Sequence, residues 1–295
     1  SAAASIESAT GNVGKTFVRI VDRHAWQIIA VCGALFVLGG VLRSSSMVLT
    51  TDEMLAYFTA KRPSLSALFD AWVHTPLSGD IGIYPVLSFL LVRLLHPIEL
   101  AMRAPSVVAF FCAAVAVFTF VRHRSSTAAG LVAFAVMFVT PAVEYAYGAR
   151  PYAIVLAFAA WSFVCWQRAS DERRNGLWVA GLAVSMAALM LSHYYAVLLF
   201  VPLIVGELFR TYKTKTVDRQ VALAFLFAAV VYMTIVPLSR SLSVYKAHPW
   251  MGVHFTDLTN TYRMLLSGLT VVALALCGLL VAWRPCLIVA GLVRA

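Results

Sequence analysis

Two neighbouring carboxylates, Asp52 and Glu53, lie just after the first long apolar run of the chain, in the segment TTDEMLAYFTAKR. A carboxylate at a polar boundary can take a proton from a hydroxyl group during a group transfer. The same residues also have a structural explanation, because Thr50 and Glu53 match a capping box and Asp52 would lie in the first turn of the helix. The sequence therefore offers a candidate catalytic pair or the start of a helix, and leaves both open.

Basic and aromatic residues occur where later apolar runs begin or end. A guanidinium group binds phosphate through paired hydrogen bonds, so a cluster of arginines facing a carboxylate at a lipid boundary suits a phosphate-bearing lipid. An arginine at the end of a span is also a common snorkelling anchor, and a histidine among aromatic residues is often an interfacial packing residue. The candidate phosphate ligands are Arg103 and Arg150, with His74 and Lys61 as second choices, and the further substrate-site candidates are Tyr152, His193 and Tyr194.

The composition indicates that these residues belong to a membrane protein. Hydrophobic residues make up 61% of the 295, charged residues only 12%, and the mean hydropathy is +0.85, which excludes a soluble domain. The apolar residues come in runs of roughly 16–20, the length a helix needs to cross a bilayer core. We predict an all-α, polytopic transmembrane helical bundle with external juxtamembrane helices. The predicted spans are 25–42, 104–121, 126–143, 151–167, 176–192, 194–209, 221–237 and 265–283.

The formal net charge of +10 would indicate a nucleic-acid partner in a soluble protein, but here the basic residues lie in short loops between spans. The run 81–96 is short, contains Pro85 and carries Arg93, so we expect it to lie in or dip into the outer interface without crossing. That choice places the basic loops on the side of the basic N-terminus, as the positive-inside bias requires. We therefore expect a bacterial inner-membrane protein with a cytoplasmic N-terminus and no nucleic-acid partner.

The predicted organisation is a cytoplasmic tail, 1–24, which we expect to be disordered, followed by a transmembrane domain, 25–295. Its external parts are a long loop, 43–103, and a second segment, 238–263. The chain ends inside an apolar run, from which we expect a C-terminal truncation. The five cysteines lack metal-site spacing, and the middle of the spans carries no charge, which argues against an ion-coupled transporter or a flippase.

A family resemblance rests on five stretches in a fixed order. They are the acidic pair after the first span, the string HTP, the string AMRAPS around Arg103, the string YGARPYA around Arg150, and SHYYAVLLF from Ser192. This order resembles the GT-C glycosyltransferases, most closely the branch of the protein mannosyltransferases and aminoarabinose transferases. The similarity covers approximately residues 25–210.

The resemblance implies an inverting enzyme that moves a sugar from a polyprenyl phosphate to an external acceptor, with Asp52 as the catalytic carboxylate and Glu53 sharing that role or capping the helix. Some members have a second acid in the loop matching YGARPYA, where this chain offers only Glu144. The scheme requires no metal, although a divalent ion between Asp52 and the phosphate is compatible with oxygen ligands. The expected partners are membrane lipid, the lipid-linked sugar donor and an external acceptor. The alternative is a non-catalytic scaffold or lipid-handling subunit of a larger assembly.

Overall fold

The computed structural model describes residues 2–74, 82–171 and 176–241, together with six isolated positions between 256 and 275. Within these residues the chain forms eleven α-helices and no strand, which confirms the all-α prediction. The helices are α1 (Ala2–Ser46), α2 (Thr51–Ala60), α3 (Leu65–His74), α4 (Ile83–Leu91), α5 (Ile98–Arg124), α6 (Thr127–Val139), α7 (Glu144–Tyr147), α8 (Tyr152–Asp171), α9 (Gly176–Met190), α10 (Phe200–Thr214) and α11 (Arg219–Ser241).

Among the described residues, five helices are long and apolar enough to cross a membrane. A sixth predicted span, 126–143, is broken: α6 ends at Val139, and the helical segment Pro141–Tyr147 continues at an angle of 68°. The predicted span 176–192 forms the shorter apolar helix α9, and 265–283 lies outside the described residues. The chain is thus a multi-pass integral membrane protein. The five long helices are Ile20–Ser46, Ile98–Arg124, Tyr152–Asp171, Tyr194–Thr214 and Arg219–Pro237.

The beginning of the chain differs from the expected disordered tail. Helix α1 starts at Ala2 and continues without a break into the first span. The segment contains no proline and is rich in alanine near its start, so no residue without a backbone N–H interrupts the helix that the span nucleates, although Gly11 and Gly14 disfavour it. The polarity of these residues predicts that they lie outside the hydrocarbon core. It does not predict whether their backbone is helical or disordered.

The centre of the bundle consists of α5, α8 and α9, which pack in that order. Helices α1 and α6 cover α5 on one side, and α11 covers α9 on the other. Small residues allow the closest approach of α1 and α5: a Cβ atom placed on Gly40 would lie 2.8 Å from a methyl group of Val107. Close packing at small residues is the usual way in which helices associate inside lipid.

The ends of the helices show that the run 81–96 does not carry the chain across the membrane. The guanidinium of Arg103, near the start of α5, donates hydrogen bonds to the carbonyls of Ser44 and Met47 at the end of α1. Helix α4 has nine residues and rises only about 14 Å, less than half of the bilayer core. Arg93 ties its end to the carbonyl of Ala60, at 3.3 Å, at the end of α2. The segment between α1 and α5 therefore begins and ends at one end of the bundle.

The opposite end of the bundle carries its own polar contacts. Asp171, at the end of α8, accepts a hydrogen bond of 3.0 Å from Arg124, and its other carboxylate oxygen lies 2.7 Å from His123 Nε2. Both basic residues belong to the last turn of α5. These contacts fix α5 against α8 far from Arg103, so the candidate site described next lies at one end of the bundle only.

Candidate functional site

Glu53 closes the first turn of α2. The backbone N–H of Thr50 donates to Glu53 Oε2 at 2.8 Å, and the backbone N–H of Glu53 donates to Thr50 Oγ1 at 3.5 Å. This is the capping box that the sequence predicts, with Thr50 in extended backbone conformation as the residue before the helix. The Glu53 side chain is nevertheless only 5% exposed, which a cap at a free helix end would not require.

Burial of Glu53 is compensated by Arg103. Arg103 Nε donates to Glu53 Oε1 at 3.0 Å, and Arg103 NH2 donates to Glu53 Oε2 at 2.7 Å, so the two groups form a bidentate pair. The backbone N–H of Ala149 adds a bond of 2.7 Å to Oε1. Each carboxylate oxygen thus accepts two hydrogen bonds, which is the full capacity of the group.

Arg103 is equally saturated, whereas the sequence predicts a phosphate ligand at this position. Its remaining donors reach the carbonyls of Ser44 at 3.2 Å, Met47 at 2.7 Å and Val48 at 3.0 Å. A guanidinium has five N–H donors, and all five are used. A phosphate could bind Arg103 only by displacing Glu53 or uncapping α1, so Arg103 serves to join α1, α2 and α5.

The protonation state of Glu53 follows from these contacts. Burial alone would raise the pKa of its carboxyl group, but hydrogen bonds from Arg103, Thr50 and Ala149 and the charge of Arg103 outweigh burial and lower the pKa below its ordinary value. Glu53 is therefore ionised at neutral pH with no lone pair to spare. The structure thus shows Glu53 as the capping residue of α2, and its share in proton transfer stays a prediction.

Asp52 differs from its neighbour in pointing outward. Its side chain is 64% exposed and forms an ion pair with NH2 of Arg150, whose side chain is 26% exposed. The two neighbouring acids of α2 contact two neighbouring residues before α8. Glu53 accepts a hydrogen bond from the backbone N–H of Ala149, and Asp52 binds the side chain of Arg150. Ser106 Oγ also donates to the Arg150 carbonyl at 3.0 Å. Hydrogen bonds of the neighbouring backbone thus hold the exposed pair in place. The sequence predicts that both residues lie at one face, but it does not predict this contact.

His193 lies beside Arg150 at the turn between α9 and α10. Burial, and to a lesser extent the positive charge of Arg150, lower its pKa to about 4. The neutral ring accepts a hydrogen bond at Nδ1 from the backbone N–H of Tyr195, at 3.2 Å. Nε2 therefore carries the proton, and His193 is a neutral hydrogen-bond donor at physiological pH.

Aromatic rings extend from His193 in a continuous row. Ring centroids are 5.8 Å apart for Tyr152 and His193, 5.4 Å for Tyr145 and Tyr152, and 5.6 Å for His193 and Tyr195, while Tyr194 stacks on His193 at 4.5 Å. We call these five residues the aromatic ledge. Tyr145 and Tyr195 are not among the candidates predicted from the sequence. Each nevertheless lies in a string, EYAYGARPY or SHYY, that contains a predicted candidate residue.

The remaining candidates lie elsewhere. Lys61 caps the far end of α2, nine residues and about 14 Å along the helix from Asp52. His74 ends α3, where its Nδ1 is 2.9 Å from Asp70 Oδ1. Glu144, the candidate second acid, pairs with Arg43 at 3.2 Å. In the described part of the chain no three His, Cys, Asp or Glu side chains converge as metal ligands would.

A sequence profile of the dolichyl-phosphate-mannose-protein mannosyltransferase family matches residues 83–240, just over half of the chain. The match contains Arg103, Arg150 and His193 and begins after Asp52. No protein of curated function matches this chain. The family belongs to the GT-C superfamily and implies a membrane setting and a lipid-linked sugar donor. The chain therefore belongs to the dolichyl-phosphate-mannose-protein mannosyltransferase family and is a membrane glycosyltransferase of the GT-C type.

Proposed function

We propose that the protein transfers a sugar from a polyprenyl phosphate to an acceptor hydroxyl at the external face of the bacterial inner membrane, with inversion at the anomeric carbon. The observation that carries this proposal is the exposed Asp52–Arg150 pair, which stands on the buried Glu53–Arg103 pair. The family match supports a lipid-linked donor. A cytoplasmic N-terminus is part of the proposal and rests on the basic loops.

Arg150 would hold the donor phosphate. When the phosphate binds the guanidinium, it replaces the Asp52 carboxylate as the partner of Arg150, and Asp52 is released next to the anomeric carbon. A charge-assisted bond to phosphate is strong in a partly dry site and grows as the leaving phosphate gains charge. The same residue thus organises the ground state and stabilises the leaving group.

Asp52 would act as the general base. The acceptor oxygen attacks the anomeric carbon as the carbon–oxygen bond to the lipid phosphate breaks, and the acceptor proton passes to the Asp52 carboxylate. The leaving polyprenyl phosphate keeps the electron pair of the broken bond. A single displacement of this kind inverts the configuration, and no step needs a metal ion.

The test is the Asp52→Asn variant in nanodiscs, with radiolabelled polyprenyl-phosphate sugars and membrane extract as the source of acceptor. We expect transfer to fall by roughly 10²–10⁴-fold, the usual cost of losing a general base. Binding of polyprenyl phosphate should persist, because the change removes a negative charge near the phosphate. Asn can still serve in the first turn of a helix, so the fold should be retained with a loss of about 1 kcal/mol or less.

Asp70→Asn is the matched control. Asp70 is also an exposed carboxylate on the external segment, 69% exposed, and it also pairs with a basic residue, His74. Its replacement should leave transfer near the wild-type rate. Near wild-type transfer by Asp52→Asn would contradict the mechanism. Donor binding by the wild-type protein without turnover of any donor would instead support the scaffold interpretation.

A further inference from the structure

Three tyrosines of the aromatic ledge are exposed. Tyr145 is 43% exposed, Tyr152 41% and Tyr195 56%. The ledge runs from Tyr145 in α7 through Tyr152 at the start of α8 to the turn after α9. Interfacial tyrosines of a membrane protein are usually scattered as a belt. Here they form one row that includes His193, the residue beside Arg150.

The side chains of the aromatic ledge are amphipathic and uncharged. Each tyrosine offers a ring face with negative potential and a phenolic hydroxyl at its edge. His193 adds a neutral imidazole that donates through Nε2, because Nδ1 accepts from Tyr195. An acyl chain has no hydrogen-bonding group to offer to phenols and an imidazole N–H, and a second phosphate would need a cation that the aromatic ledge itself does not carry.

A pyranose ring matches this surface. Its axial C–H groups are weakly positive and lie favourably over aromatic faces, while its hydroxyls can pair with phenols and with an imidazole N–H. We propose that the aromatic ledge binds the pyranose ring of a substrate beside Arg150. The proposal rests on the proposed function for the presence of a sugar at this place. The sugar comes from the lipid-linked donor or from an acceptor saccharide.

The experiment is saturation-transfer difference NMR on the protein in nanodiscs with methyl α-mannopyranoside and methyl β-glucopyranoside as probes. Saturation should pass to the ring C–H protons of at least one glycoside. The double variant Tyr145→Leu, Tyr195→Leu should weaken its binding at least about fivefold, equivalent to roughly 1 kcal/mol. Leucine keeps apolar bulk at two exposed positions and removes both the ring face and the hydroxyl.

Tyr212→Leu is the control, since Tyr212 is 70% exposed near the far end of α10. It should bind the glycoside as the wild type does. Tyr195→Phe, which keeps the ring, should lose less than the leucine variant. If the double variant does not fold, the ring signals of His193 in ¹³C-histidine-labelled wild-type protein provide the readout, and they should shift on titration with the glycoside.

A non-hydrolysable polyprenyl phosphonate glycoside separates the two sources. If it displaces the free glycoside and bare polyprenyl phosphate does not, the ledge holds the donor sugar. If the free glycoside stays bound, the ledge holds an acceptor saccharide. Absence of saturation transfer in the wild type, equal transfer in the double variant and the wild type, or unmoved His193 signals would overturn the proposal. This readout is binding without turnover, so a failure of glycoside binding and a failure of the transfer assay are distinguishable.

Discussion

Glu53 and Arg103 are fifty residues apart in sequence, and their side chains bind each other through two hydrogen bonds of 3.0 and 2.7 Å with almost no exposure to solvent. The pair joins the end of α1, the start of α2 and the start of α5, and through Ala149 it also reaches the segment before α8. Asp52 and Arg150 are each the immediate sequence neighbour of a residue in this network. The exposed pair is therefore placed by the buried one.

Removing one member of the buried pair should strongly destabilise the protein. In Arg103→Met, the Glu53 carboxylate stays buried without its charge partner, and three backbone carbonyls lose their donors. Breaking a buried ion pair in this way typically costs about 3–5 kcal/mol. Thermal unfolding of the variant in nanodiscs, followed by circular dichroism, measures the loss.

The exposed pair Arg43–Glu144 supplies the control for this prediction. Its side chains are 43% and 65% exposed, and such surface pairs contribute about 1 kcal/mol or less. Arg43→Met should therefore barely change the unfolding temperature. The double variant Glu53→Gln, Arg103→Met should lose less than the sum of its single variants, because no charge remains buried. Strict additivity would show that the two side chains do not stabilise each other.

The sequence predicts the elements of this fold better than their contacts. Apolar runs of span length and the Thr50–Glu53 capping box are local signals, and both correspond to helices in the structure. The pairing of Glu53 with Arg103 depends on how α2 and α5 pack, and no local pattern contains that information. Arg103 at the start of an apolar run suggests a phosphate ligand, and the sequence does not reveal that its side chain is buried and has five acceptors in the protein.

The candidate site is predicted only in part, because its contacts also depend on how the helices pack. The positive-inside bias places Asp52, Arg150 and His193 at one face, where the structure also gathers them. The distinction between Asp52 and Glu53 is not predictable, because it depends on which of two adjacent side chains of one helical turn faces the bundle. Tyr145 and Tyr195 carry no motif of their own, and their position in the ledge follows from the packing of two separate turns.

Gly82 controls the position of the turn that carries His193. Its φ angle is +87°, and a Cβ atom there would lie 1.7 Å from the carbonyl oxygen of Leu191, the oxygen to which Ile83 N–H donates at 3.0 Å. Gly82→Ala should therefore be strained in its backbone and displace Leu191. We expect a lower unfolding temperature and altered ring signals of His193.

Gly39→Ala is the matched control, because nothing lies within 4 Å of the Cβ atom it would add, in the C-terminal half of α1. Alanine favours a helix over glycine by up to about 1 kcal/mol, so this change should be neutral or stabilising. Gly82→Ala with the unfolding temperature and His193 signals of the wild type would mean that the turn after α9 does not contact the start of α4.

The orientation of the bundle can be tested by cysteine labelling in a variant without the five native cysteines. Because the positive-inside bias places the basic loop at Arg122 and Arg124 in the cytoplasm, a cysteine at Gly148 should react with an impermeant maleimide in intact cells and one at Ser125 should not. A Cβ atom at Gly148 meets no atom closer than 3.9 Å, so the probe is tolerated there. The reverse labelling pattern would place the Asp52–Arg150 pair at the cytoplasmic face.

His193 should remain neutral well below the pH at which an ordinary histidine takes up a proton. Its pKa is lowered from 6.5 to about 4, first by burial and second by the charge of Arg150. In ¹³C-histidine-labelled protein, the His193 ring should therefore titrate near pH 4. In Arg150→Gln its pKa should rise yet stay below 6.5, because burial, the larger cause, remains.

The lowered pKa of His193 also makes the stability of the folded protein decrease as the pH falls. Between pH 6.5 and about 4 the unfolded chain binds a proton on His193 that the folded chain does not, so stability falls as the pH drops through this window and is unaffected above it. His193→Asn removes the titrating group, and the Asn side-chain oxygen can still accept the bond from Tyr195 N–H at this cap position. The unfolding temperature of the wild type should therefore decrease more than that of His193→Asn between pH 7 and pH 4.5. Equal decreases in the two proteins, or a His193 ring that becomes charged near pH 6.5 in the folded protein, would contradict the burial of His193 beside Arg150 and its role as a neutral donor in the aromatic ledge.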